Sequence, residues 1–184
     1  MIQEDSLSPS SSRTRNIFEP LDTSFVADLW GERFGIPSSA FAGFTFFRKA
    51  NSVWAANEAI LPRLSYEAIG MRIMNLKDRP WKPTTSALQV FGRHATRNLI
   101  HLDSANSRSF MEGKTLAIES DSESGYVVVF YRGEVLGCGL YSHGKLVSQI
   151  PKERRMASSK NGAEESADQN AKDEVASEMP IDMR

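Results

Sequence analysis

Cysteine is almost absent from this 184-residue chain: Cys138 is the only one. A single thiol excludes an intramolecular disulfide framework and a cysteine-rich zinc site, and it suits a reducing cytosol. Long apolar runs are missing too. The longest, such as residues 126–131, fall far short of the roughly 20 residues that span a bilayer. Residues 1–12 are polar and serine-rich, without the apolar stretch of a secretory signal, so a cytoplasmic location is expected. The three histidines, His94, His101 and His143, follow no zinc spacing. A glycine-rich dinucleotide fingerprint and a phosphate loop are both lacking. No cofactor and no metal are therefore expected, and enzymatic activity has little support. A deep pocket pairing His94 or His101 with carboxylates would revive it.

Net charge is nearly absent as well, at −1 from 22 Lys+Arg and 23 Asp+Glu. Taken alone, that balance argues against a nucleic-acid partner, but it averages unlike segments. Residues 20–159 hold 17 basic and 13 acidic side chains, a net of +4. Residues 160–184 hold three and seven, a net of −4. Residues 1–19 and 157–184 are expected to be disordered, because serine-rich and Ala/Ser/Glu-rich stretches bury too little apolar surface to offset their ordering entropy. What lies between is large enough to bury a core without staples.

That middle reads as two segments. In residues 20–80, Asp22 or Thr23 caps a helix whose apolar positions Phe25, Val26, Leu29, Trp30 and Phe34 recur at helical spacing. Gly35 and Pro37 end it. Residues 44–48 and 53–56 read as a hairpin, 58–64 as a short helix interrupted by Pro62, and 68–74 as a strand. In residues 81–156, Thr84 or Thr85 caps a helix running to about Phe91. A strand at 99–102, a helix at 104–111 and strands at 116–119, 126–132, 135–141 and 146–150 follow. Arg132-Gly133-Glu134 and Ser142-His143-Gly144-Lys145 are tight-turn sequences between antiparallel neighbours. The fold class is α+β: a mixed α/β segment, then a small β-barrel decorated by helices.

Cys138 lies between Gly137 and Gly139 in a strand, and nothing local supplies a base. It reads as a small half-buried side chain, not a nucleophile. The cations cluster. Lys77, Arg79, Lys82, Arg93 and Arg97 face Asp78 alone between residues 77 and 99. Lys145, Lys152, Arg154 and Arg155 are opposed only by Glu153. Such clusters are either a phosphate-binding footprint or an ordinary solvated face. Tyr141, His143 and Trp81 lie near them and could stack on bases, although core packing suits Trp81 better. Gly133, Gly137, Gly139 and Gly144 mark either a close approach by a ligand backbone or tight barrel closure.

Five stretches together resemble a PUA-type module. They are Lys82-Pro83-Thr84-Thr85-Ser86-Ala87-Leu88-Gln89-Val90-Phe91-Gly92, Ala95-Thr96-Arg97-Asn98, Gly125-Tyr126-Val127-Val128, Gly133-Glu134-Val135-Leu136-Gly137-Cys138-Gly139-Leu140-Tyr141 and Gln149-Ile150-Pro151-Lys152. The resemblance is to the C-terminal region of archaeal Sun-family RNA cytosine-5 methyltransferases. Glu32-Arg33-Phe34-Gly35-Ile36-Pro37 and Val53-Trp54 resemble the pre-PUA segment of such proteins and of small ribosome-assembly factors. The resemblance implies a PUA-like pseudo-barrel that binds RNA with its opening helix and glycine-rich turns. Carried onto this chain, the implied surface includes Lys82, Arg93, Arg97, Gly137 and Lys152; the expected RNA-binding residues are these together with Lys77, Arg79, His94, Gly139, Tyr141, Lys145, Arg154 and Arg155. The family's catalytic cysteine belongs to a separate domain that this chain is too short to contain, so methylation does not carry over.

The expected function is non-catalytic binding of structured RNA, rRNA or tRNA, in ribosome assembly or RNA modification. The partners would be that RNA and an RNA-modifying enzyme or ribosomal particle. The alternative is a protein–protein adaptor that uses the same scaffold and the acidic tail.

Overall fold

The computed structural model describes residues 17–57 and 66–157. The first helix, α1 (Thr23–Phe34), starts where the Asp22 carboxylate accepts the Ser24 N–H at 2.9 Å. That hydrogen bond holds the Asp22 carboxyl below its ordinary pKa. The helix ends at Gly35, whose φ of 65° is a left-handed cap that suits glycine. Val26, Trp30 and Phe34 form its buried stripe. Phe25, expected on that stripe, is 40% exposed, because it lies one residue, about 100°, off the line of Val26.

Five antiparallel strands form the first sheet in the order β1-β2-β3-β4-β5. They are β1 (Glu19–Leu21), β2 (Phe44–Lys49), β3 (Ser52–Asn57), β4 (Met71–Asn75) and β5 (Lys82–Pro83). The expected hairpin is present, slightly longer at its turn. The strand expected from residue 68 starts only at Met71, because Gly70 turns with a φ of 57° against the Ala55 carbonyl. The expected disorder of residues 1–19 is corrected at its end. Glu19 pairs with Arg48 on β2, and Phe18 packs against Phe47 and Trp54. The edge of β2 gives this short segment a ladder partner that composition does not reveal. Residues 1–16, the expected helix at 58–64 and the tail beyond residue 157 lie outside the described residues.

The second sheet, in the order β6-β8-β9-β10-β7, curls into a half-barrel. Helix α2 (Thr85–Phe91) and a 3-10 turn, Gly92–His94, lead into β6 (Leu99–His101). Helix α3 (Ser104–Met111), β7 (Thr115–Ala117), β8 (Gly125–Tyr131), β9 (Glu134–Ser142), β10 (Lys145–Ser148) and a 3-10 turn, Lys152–Arg154, follow. β6 runs parallel to β8; every other pairing in the sheet is antiparallel. The expected α+β class and PUA-like half-barrel are what the chain adopts.

Alternation along β8 explains why this sheet has two covered faces. Val128 and Phe130 point to a core shared with α1, α2 and the first sheet, whereas Val127 and Val129 point to a second cluster with Phe110 of α3. A strand buried on both faces reads as a continuous apolar run, which is what residues 126–131 are. Trp30 is the hub of the shared core. Its ring centroid lies within 6.0 Å of Phe34, Phe41, Trp81 and Phe91, which come from four different parts of the chain.

Trp30→Ala is expected to cost about 3–5 kcal/mol of stability, because the cavity opens where no neighbour can collapse freely. Urea denaturation followed by circular dichroism should show one cooperative transition shifted to lower urea. Two separate transitions would mean that the sheets fold independently.

Candidate functional site

The candidate face is built around α2. Thr84 caps this helix by accepting the Ala87 N–H at 3.1 Å, and Ala87, Leu88 and Phe91 turn inward. Ser86 and Gln89 are left on the outer side. The segment after β10 crosses here: Arg154 donates to Ser86 Oγ at 3.3 Å and to Gln89 Oε1 at 2.9 Å. Gln89 in turn donates to the Leu136 carbonyl of β9 at 3.2 Å. At the other side of this seam, Lys82 Nζ donates to Gln149 Oε1 at 2.7 Å and lies 5.8 Å from the centre of the Tyr126 ring. Gly92 packs closely on Val128 and Val135, which seats the following Arg93 beside the β8–β9 hairpin. Members of the two cation clusters, distant in sequence, are therefore brought to the α2 region: Lys82 before the helix, Arg93 after it and Arg154 across it.

The expected site residues divide by environment. Lys77, Arg79, Arg93, Lys145 and Lys152 are exposed, and their cations are paired with no described carboxylate; His94 is exposed as well. Lys145 sits at the β9–β10 turn, opposite Ser142 and Ala117, and does not join the α2 face. Lys82 and Arg154 are engaged as described, and Arg155 donates to the Ile150 carbonyl at 3.1 Å while lying across Gly113. Trp81 packs in the aromatic core.

Three members of the expected RNA surface are corrected. Gly137 and Gly139 are buried, and the space above each is filled by this chain's own side chains. A Cβ at 137 would meet Thr85 Cγ2 at 2.6 Å and Ile150 Cδ1 at 2.9 Å, and one at 139 would meet Leu146 Cδ1 at 2.5 Å. Tight closure, not an approaching ligand, requires these glycines. Tyr141 is 7% exposed, with its hydroxyl donating to the Ser120 carbonyl and accepting the Ser120 N–H, so its ring is not offered for stacking.

Arg97 belongs to a different arrangement that the sequence did not reveal. Arg33, at the end of α1, donates to Glu123 Oε2 at 3.0 Å and to the carbonyls of Tyr126 and Glu123. Arg97 approaches the same carboxylate at 3.4 Å. Asn98 donates to the Arg33 carbonyl at 2.7 Å and accepts the Glu123 N–H at 2.9 Å. Burial pulls the Arg33 guanidinium below its ordinary pKa, against the pull of Glu123. The result is a latch between α1 and the loop before β8. Arg132, exposed at the β8–β9 turn, was also missed; its place before Gly133 in a tight turn was the available signal.

Cys138 is fully buried, and burial pushes its thiol up to about 12. A thiol in that state is inert. Among the described residues, no group of three His, Cys, Asp or Glu is placed to hold a metal ion, and no helix is long and apolar enough to cross a membrane.

Gly137→Ala is expected to lower stability by about 1–3 kcal/mol through overpacking and backbone strain. Urea denaturation checks this; loss of RNA affinity at unchanged stability would instead point to a ligand above the glycine. Cys138 should react with a thiol reagent only as fast as the protein unfolds. Its pKa is raised from 9.0 to about 12, so between those values the unfolded chain has lost a proton that the native chain keeps. Stability therefore falls as pH rises through that window, by up to roughly 1.4 kcal/mol per pH unit from this group. Comparison with Cys138→Ala from about pH 8 to about pH 10 should show the steeper fall in the parent.

Residues 97–156 match the family model described as the methyltransferase RsmF PUA domain. The chain is also similar to two bacterial proteins named ribosomal RNA small subunit methyltransferase F. The one from Aeromonas salmonicida is 29% identical over 91 residues, covering 50% of this chain and 19% of the relative. The one from Aeromonas hydrophila subsp. hydrophila is 24% identical over 110 residues, covering 58% and 23%. The chain thus spans about a fifth of the length of these curated relatives. Both are bacterial, where the sequence resemblance was to archaeal members. With β6, β8, β9 and β10 all inside the matched stretch, residues 97–156 are similar to the PUA domain of the methyltransferase RsmF over about a third of this chain.

Proposed function

We propose that this chain is a non-catalytic, cytoplasmic RNA-binding protein that holds structured RNA through phosphate contacts and shape. The observation that carries the reading is that the turn after β10 is fastened to α2, which brings members of both cation clusters to one helix. Arg154 is fastened to Ser86 and Gln89, which brings Lys152 of the same 3-10 turn alongside the helix. Arg93 leaves the other end of that helix. Arg93 and Lys152 are exposed without a described carboxylate partner, so they are available to displace counterions from phosphates. Arg154 and Lys82 act as positioning residues, and Gly137, Gly139 and Tyr141 build the scaffold beneath. The relatives' name, ribosomal RNA small subunit methyltransferase F, supports taking ribosomal RNA as the first candidate. A ribosomal particle or an RNA-modifying enzyme would act on the RNA held in this way.

A gel shift with a structured RNA hairpin over a salt series is expected to show affinity that falls as salt rises. Combining Arg93→Glu with Lys152→Glu should weaken binding evenly across RNA sequences and flatten the salt slope by roughly one per lost contact. Unchanged binding by that variant would remove the α2 face. Absence of affinity for any structured RNA would remove the reading.

A further inference from the structure

Phe18, Phe47 and Trp54 take no part in either core cluster. Phe47 of β2 and Trp54 of β3 are cross-strand partners on the outer face of the first sheet, opposite the face that buries Phe46, Val53 and Ala55. Phe18, just before β1, stands nearly perpendicular to both rings, with centroids 6.5 Å from Phe47 and 5.6 Å from Trp54. All three are half-buried. Cations border them. Lys49 Nζ lies 4.7 Å from the centre of the Phe18 ring, and the exposed Arg72 is the β4 partner of Trp54.

A sheet face that carries half-buried aromatic side chains beside cations is an arrangement on which unpaired bases stack. Stacking supplies affinity without reading sequence, because every base has a π face, while the cations take the phosphates. Lys49 Nζ is held in place by the Glu67 carbonyl at 2.8 Å, which leaves its charge uncancelled. An apolar partner surface would leave the exposed Arg72 unanswered, whereas a polyanion with flat apolar bases answers both features. We propose that the outer face of the first sheet is a second RNA contact, a stacking platform for single-stranded nucleotides of the RNA held at α2. It rests on the RNA-binding reading and adds a distinct surface and a distinct RNA form to it.

The test compares two RNAs on the full chain: a blunt hairpin and the same hairpin carrying an unstructured single-stranded extension. The parent protein is expected to bind the extended RNA roughly fivefold or more tightly than the blunt one. Phe47→Ala combined with Trp54→Ala should bind the blunt hairpin like the parent and lose that gain. Arg72→Glu, an exposed change that leaves the core untouched, should reduce the gain as well. Trp54→Phe keeps an aromatic plane and should retain most of it. Equal affinity of the parent for both RNAs, or a full gain in the double variant, would overturn the platform while leaving the α2 face standing. Failure of the parent to bind either RNA would overturn both readings.

Discussion

The packing of Trp30 against four aromatic rings is the contact on which this structure depends. Trp30 and Phe34 come from α1, Phe41 from the turn after it, Trp81 from the link between β4 and β5, and Phe91 from α2. The rings come from four stretches of chain, so the cluster is a junction and not the interior of one element. Val128, Phe130 and Cys138 close it from the second sheet. Because apolar burial is non-directional, geometry must come from shape, and edge-on aromatic contacts supply it. The position of α2 relative to β9, and so of Arg93 after it and of Arg154 fastened to it, follows from this junction.

Polar contacts then fix what the apolar core leaves free. Glu123 gathers Arg33, Arg97 and Asn98, and ties the end of α1 to the loop before β8. Glu123 is mostly exposed, so its charge pairing contributes modestly, while the hydrogen bonds to backbone carbonyls set the register. Across the molecule, Lys82 meets Gln149 and Arg154 meets Gln89, both neutral amides. Holding an arginine with amides orients it without cancelling its charge. This distinguishes the α2 seam from the Glu123 latch, where charge is balanced.

Much of the fold was legible from local chemistry. Asp22 and Thr84 cap their helices as their side chains allow, and the turns at Gly133 and Gly144 join the strands they separate. Short pairings were not legible: β1 and β5 exist because a neighbouring edge accepts them, and three or two residues carry no period of their own. The site was harder to read. A run of cations shows where charge lies along the chain but not which cations already have acceptors, and Arg33 with Glu123 is a pairing across 90 residues. Gly137 and Gly139 signal close approach without saying by what; the answer was Thr85, Ile150 and Leu146. Tyr141 follows the same inward side of its strand as Gly139, a parity visible only once the register of β9 against β10 is known.

The extent of the shared core carries a consequence for how such a module can be inherited. The stretch that matches the family model begins at residue 97, yet the apolar cluster against which its strands pack reaches back to Val26. The unit that the family model covers is thus smaller than the unit that excludes water. Transplanted without what precedes it, the matched stretch would carry one face of β8 into solvent. Lineages that keep the module must supply a replacement for α1, α2 and the first sheet, or keep them.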